Sequence, residues 1–232
     1  RVEVNRSVPS QPYWLEDSDY KGMFSVKDQT LIGLPQNPTE IKAELRFQIE
    51  GVSISYFVPV VHRYVDRSIG ELYRPFLITP QVTANIDKKV YLFSDLGAQS
   101  VPLLIKSFSK SADADIQFEV PEGWKVAPPR LSFKFDKAGE EKLANVQVTP
   151  PAFQSKGQLK IKITVNGQTT SYSQQTIAYS HIPTQMVFNP AQTELDRVNL
   201  EKRGERIGYI MGSGDEIPAS LEEIGYQVEL LN

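Results

Sequence analysis

The stretch Glu44-Leu45-Arg46-Phe47-Gln48-Ile49-Glu50 decides the fold class. Leu45, Phe47 and Ile49 fall on one side of an extended chain, and Arg46, Gln48 and Glu50 on the other. That period of two is the pattern of a half-buried strand. Gly51 interrupts it, and Val52 to Val61 resumes it with Ile54, Tyr56, Val58 and Val60. Glu50-Gly51 suits a tight turn, so the two runs are expected to pair as an antiparallel hairpin.

Short runs of this kind recur to about residue 180, separated by Gly, Pro, Asn and Asp. Pro75 and Pro80 bracket the apolar run Phe76-Leu77-Ile78. Proline restricts both its own φ and the residue before it, so Tyr73 to Pro80 is expected to be an extended joint and not a loose linker. Beyond it, Val82–Ile86, Lys89–Phe93, Val101–Phe108, Ile116–Val120, Leu131–Phe135, Ala144–Val148, Leu159–Val165 and Tyr172–Tyr179 all read as strands. Eight candidates in about 100 residues match the rhythm of an immunoglobulin-like domain. Asn166-Gly167 is the strongest hairpin signal in the chain. The 16 prolines agree with a strand-and-loop protein.

The period changes near the end. Arg206 to Met211 reads as a strand, Gly212-Ser213-Gly214-Asp215 as a turn, and Ile217, Leu221 and Ile224 follow helical spacing, with Pro218 in the first turn and Gly225 past the last. Tyr226 to Leu231 reads as another strand. The chain is therefore expected to be mainly β: two tandem β-sandwich, immunoglobulin-like domains, 1–78 and 79–180, then 181–232 as a linker and an incomplete α/β strand-helix-strand unit. Its ends read as those of a piece of a larger protein.

Composition narrows the chemistry. The chain has 232 residues, with 25 Lys and Arg against 28 Asp and Glu, a net charge of −3. So near a balance points away from nucleic acid, whose binders carry basic patches. No run approaches the roughly 18–20 apolar residues of a helical membrane span, and none is expected. With no cysteine there are no disulfides, thiolate zinc sites or cysteine nucleophiles. The two histidines, His62 and His181, are far apart in sequence. No catalytic residue, bound cofactor or metal site is expected.

Several residues still merit weighing. Gly212-Ser213-Gly214-Asp215 resembles a phosphate-cradling turn, but it lacks a third glycine in register and a following lysine. Asp95, Asp113 and Asp115 are acidic loop candidates without the pattern of a calcium loop. Arg63, Asp66, Arg67, Glu71 and Arg74 make a densely charged segment between two strands that suits a ligand-facing loop or a salt-bridged domain joint. Asn5-Arg6-Ser7 fits a glycosylation sequon. Tyr13, Trp14 and Tyr20 are the candidate carbohydrate-binding residues, because an aromatic face can stack on a sugar ring. The alternative is that Trp14 fills a core.

A resemblance adds to this reading. Pro121-Glu122-Gly123-Trp124-Lys125-Val126, then Pro128-Pro129 and a closing Val146-Gln147-Val148-Thr149-Pro150-Pro151, resemble the bacterial immunoglobulin-like domain found beside glycosidase modules. In order along the chain, Pro12-Tyr13-Trp14-Leu15, Asp66-Arg67-Ser68-Ile69-Gly70-Glu71 and Arg206-Ile207-Gly208-Tyr209-Ile210-Met211-Gly212-Ser213-Gly214-Asp215-Glu216 are similar to the non-catalytic C-terminal region of PIG-L/LmbE-type deacetylases of Bacteroidetes-like bacteria. The resemblance implies a zinc amidase domain earlier in the parent chain and an amidotransferase-like domain beginning near Arg206. The zinc motif, of His-Pro-Asp-Asp type, is absent from this sequence, so no catalytic residue carries over and zinc is expected only in the parent's own catalytic domain. The implied role is a structural spacer in a secreted, periplasmic or cell-surface N-deacetylase. Its partners would be other domains of the same parent chain, with carbohydrate binding as the alternative.

Overall fold

The first four strands form two hairpins in a computed structural model that describes residues 8–17 and 22–231. Strands β1 (Lys42–Ile49) and β2 (Val52–Pro59) pair antiparallel in a register that sets Leu45 opposite Tyr56 and Phe47 opposite Ile54. The turn between them is the expected Glu50-Gly51, with φ of 49° and 83°. Both central residues of such a turn are left-handed, which matches the twist of the strands it joins and favours glycine. Strands β3 (Val61–Asp66) and β4 (Gly70–Pro75) form the second hairpin. Asp66 shapes its turn by accepting the Ser68 N–H at 2.8 Å and the Ile69 N–H at 3.1 Å.

The chain divides into two compact units. One takes residues up to Pro80 together with Gln174–Asn189, and the other takes Gln81–Ser173 with Pro190–Asn232. In the first unit the run after β4 stays extended and is tied down at Ile78, which exchanges hydrogen bonds with Ser10. The Ser10 N–H donates to the Ile78 carbonyl at 2.8 Å, and the Ile78 N–H donates to Ser10 Oγ at 2.9 Å.

The second unit is a two-sheet sandwich. Its strands in chain order are β5 (Val82–Ile86), β6 (Val90–Phe93), β7 (Gln99–Ser107), β8 (Ala112–Glu119), β9 (Lys125–Ala127), β10 (Arg130–Phe135), β11 (Glu141–Thr149), β12 (Ser155–Val165) and β13 (Gln168–Thr170). Strands β14 (Tyr172–Ile177) and β15 (Gln185–Pro190) form a separate two-stranded sheet, and β16 (Gln192–Arg197) returns to the sandwich. One sheet runs β5-β7-β11-β9. The other runs β10-β8-β12-β16-β6, with β13 folded back on β12. Asn166 and Gly167, at φ of 51° and 78°, make the β12–β13 turn.

Alternation explains the core. Along β12, Leu159, Ile161, Ile163 and Val165 point inward while Lys160 and Lys162 point out. Along β8, Ala112, Ala114 and Ile116 face the same interior, with Asp113, Asp115 and Gln117 outside. Val101, Leu103 and Ile105 of β7 and Val146 and Val148 of β11 close it from the other sheet. Each fully buried aliphatic or aromatic chain there contributes about 1.5–3 kcal/mol of transfer free energy. Trp124 caps one end, edge-on to Phe93 with ring centroids 4.9 Å apart.

A correction concerns residues 181–232, which the sequence reading assigns to a linker and an α/β piece. Residues Gln192–Arg197 are instead a strand inside the sandwich of the second unit, antiparallel to β12 and parallel to β6. Leu195 is fully buried there. Two of the three inward residues of β16 are polar, Thr193 and Arg197, so its alternation does not show as an apolar stripe. The end of the chain is as expected: β17 (Arg206–Ile210), α1 (Ile217–Glu223) and β18 (Gln227–Leu231), with β17 and β18 parallel. The half-buried face of α1 carries Pro218 and Leu221, followed by Ile224, while Ile217 is exposed.

Candidate functional site

The residues singled out as a sugar-binding cluster lie at a stitched corner of the first unit. Tyr13–Leu15 form a single 3-10 turn after Pro12. The Tyr13 N–H donates to Asn37 Oδ1 at 2.8 Å, and its hydroxyl donates to the Leu34 carbonyl at 3.1 Å. Asn37 in turn donates from Nδ2 to the Gln11 carbonyl at 2.8 Å. The Gln11 side-chain amide mimics a strand neighbour of Phe188: it accepts the Phe188 N–H at 2.8 Å and donates to the Phe188 carbonyl at 3.2 Å. Two side-chain amides thus satisfy backbone groups in two distant segments, residues 11–15 and Phe188, the condition for burying them cheaply.

This geometry places Tyr13 as a buried, fully hydrogen-bonded residue. Trp14 is half-buried, and its ring stands at 86° to that of Tyr13 with centroids 4.8 Å apart. A stacking platform presents aromatic faces side by side, whereas these meet edge to face. Tyr20 and the sequon Asn5-Arg6-Ser7 lie outside the described residues. The adjoining cleft, between Gln11, Pro12, Asn37, Pro38, Phe76 and Met186, has a volume of about 30 Å³. Small-molecule sites usually offer about 300–1,000 Å³, so this cleft is small beside them.

The larger unsatisfied feature is the face of the first hairpin. Alternation puts Ala43, Leu45, Phe47 and Ile49 of β1 beside Val52, Ile54, Tyr56 and Val58 of β2 on one side. The other side carries Lys42, Glu44, Arg46, Gln48, Ser53 and Ser55, together with Phe57 and Pro59. The apolar side faces solvent, with Phe47 at 50% and Tyr56 at 64% exposure. Chains that fold alone seldom leave a continuous apolar patch of this kind, and such patches mark surfaces that meet another protein. On the polar side Arg46 Nη2 and Glu44 Oε2 are 2.7 Å apart, and this bond holds the Glu44 carboxyl below its ordinary range.

The remaining residues are brought to separate places. His62 is exposed on β3, stacked on Tyr64 at 5.7 Å, and Arg74 lies over the same tyrosine ring at 5.1 Å. Arg63 pairs with Glu71 at 3.2 Å, so the charged segment is a laced hairpin surface. Asp113 and Asp115 point outward from β8, where Asp115 accepts from Ser132 Oγ at 2.6 Å, and Asp95 accepts the Gly97 N–H at 2.7 Å. Asp215 accepts the Ile217 N–H at 3.1 Å and the Tyr209 hydroxyl, so the carboxylate of the glycine-containing loop takes the place an anion would need. His181 is exposed beside Tyr179. Among the described residues no three His, Asp or Glu side chains gather as a metal site, and no helix is long and apolar enough to cross a membrane.

No family model matches the chain, and no curated protein matches it. Among solved structures it is similar to the native conformation of the Escherichia coli alpha-2-macroglobulin determined by cryo-electron microscopy. The identity is 10%, the TM-score is 0.36, and the match covers 65% of this chain and 9% of that one. Nothing about activity or partners passes to this chain from a likeness of that size.

Proposed function

We propose that this chain is a non-catalytic structural region of a larger secreted bacterial enzyme, a zinc-dependent N-deacetylase of the PIG-L/LmbE type acting on N-acetylated sugars. In this reading it is a spacer that offers surface to other domains of its parent. The observation that carries the reading is the apolar face of β1 and β2. Eight inward-type side chains sit on a hairpin with no layer over them among the described residues, which is what a sheet shows when its cover belongs to another part of the same protein. The stitched corner at Gln11, Tyr13 and Asn37 supports a structural role for the aromatic cluster, since its polar atoms are spent on holding backbone.

The test is made on the complete reading frame that contains this sequence. Its product should carry a zinc amidase domain and release acetate from N-acetylated sugars, while the 232-residue chain alone should release none. A frame with no zinc amidase domain, or acetate release by the chain itself, would sink the proposal.

A further inference from the structure

The β1 edge of the first hairpin is open among the described residues, and its hydrogen-bonding groups are already in phase. The Val60 N–H donates to the Ile41 carbonyl at 3.0 Å, so odd-numbered residues of this segment face β2. The turn at Glu50-Gly51 gives the same phase, since the residues flanking a two-residue turn form a hydrogen-bonded pair. The N–H and C=O groups of Lys42, Glu44, Arg46 and Gln48 therefore point away from β2. The opposite edge is blunted, because Pro59 occupies an outward position on β2 and has no N–H to give.

We infer that β1 pairs antiparallel with β1 of a second copy of this chain, about a two-fold axis at Leu45. In this register Glu44 of each copy lies directly opposite Arg46 of the other, in a hydrogen-bonded pair. Lys42 lies opposite Gln48. On the apolar side Leu45 meets Leu45, Ala43 meets Phe47 and Ile41 meets Ile49. The neighbouring in-phase registers are worse. Centring on Arg46 sets arginine on arginine, and centring on Glu44 sets glutamate on glutamate and Lys42 on Arg46. Centring on Phe47 sets Glu44 on Glu50. Opposite charges across a strand pair stabilise it and like charges oppose it, so the sequence of β1 selects one register. The pairing also turns a two-stranded ribbon, marginal by itself, into a four-stranded sheet. It uses the edge of the hairpin and leaves the apolar face available, so it stands independently of the spacer reading.

The test uses the full chain in analytical ultracentrifugation. The chain should dimerise. Glu44→Arg and Arg46→Glu should each weaken the dimer about ten-fold or more, a change equivalent to at least about 1.4 kcal/mol. The double variant E44R/R46E should restore it, and mixing the two single variants should give a heterodimer, because each then supplies the charge the other lacks. Since the chain has no cysteine, Leu45→Cys gives a clean second readout: the two introduced thiols should form a disulfide under mild oxidation, and those of Gln48→Cys should not. A chain that stays monomeric at millimolar concentration overturns the inference. So does a dimer indifferent to both charge reversals, or one in which Leu45→Cys does not crosslink.

Discussion

The indole N–H of Trp124 donates to Ser155 Oγ at 3.0 Å, joining the loop before β9 to the first residue of β12. Trp124 is almost fully buried and edge-on to Phe93, so one side chain combines apolar contact with a satisfied polar atom. Ser155→Ala should cost about 1 kcal/mol, the usual net value of one hydrogen bond. Trp124→Ala should cost about 3–5 kcal/mol, because it also leaves a cavity. Urea unfolding of both variants checks this. Equal losses would mean that packing around the indole contributes little.

Gln11 should be irreplaceable by alanine. The change removes the two hydrogen bonds that the Gln11 side chain makes with the Phe188 N–H and carbonyl, each with a net value of about 0.5–1.5 kcal/mol. The expected result is faster amide exchange at Phe188 with little change at Ile161 in the other unit. Unchanged protection at Phe188 would show that its backbone finds another partner.

Arg197 makes the opposite case. It is 7% exposed at the end of β16, with its Nη1 donating to the Val198 carbonyl and its Nε without a hydrogen-bond partner among the described residues. A buried cation with incomplete partners costs more than an apolar chain of similar length. Arg197→Met should leave the thermal midpoint unchanged or raise it by a few degrees. A clear fall would point to a role for the charge.

Acid should loosen the β3–β4 turn late. The Ser68 hydroxyl, with the Ser68 and Ile69 N–H groups, holds the Asp66 carboxyl below its ordinary value. A depressed carboxyl stabilises the turn above the unfolded pKa, and that stabilisation is lost as pH falls through the folded one. The amide resonances of Ser68 and Ile69 should therefore titrate with a midpoint under about 3.9, the reference for aspartate. In Asp66→Asn that step should vanish. A midpoint at or above the reference contradicts the bonding described here.

Gly157 has no room for a methyl group. A Cβ built there lies 2.3 Å from Pro121 Cγ. Proline cannot swing aside, so Gly157→Ala should cost about 1–3 kcal/mol as overpacking. In a Pro121→Ala background the same substitution should cost measurably less, which thermal unfolding of the two pairs would show.

What was readable in the sequence follows from which faces are buried. β5, buried along most of its length, matches the expected strand Val82–Ile86 end for end. The turns at Glu50-Gly51 and Asn166-Gly167 were legible because left-handed backbone favours Gly51, Asn166 and Gly167. The β3–β4 hairpin was not. Most of both its faces meets water, so Arg63, Asp66, Glu71 and Arg74 carry no alternation to read. β16 escaped for a related reason, since Arg197 and Thr193 fill inward positions. At the candidate site the aromatics drew notice by type, while Gln11 and Asn37, which hold the corner together, are anonymous amides until the backbone they serve has folded. The open face of the first hairpin was visible as a pattern but not as a vacancy, because alternation reports which side is apolar and never what covers it.

The place of β16 has a consequence for synthesis. It lies between β12 and β6 in its sheet, yet it leaves the ribosome after the whole detour through β14 and β15. Until residue 197 emerges, β6 has no neighbour in that sheet and β12 shows a bare edge, the kind of edge that recruits other chains. A nascent polypeptide stalled or truncated short of Gln192 should therefore be a substrate for chaperones and prone to aggregate, although almost all of its hydrophobic core has already been translated.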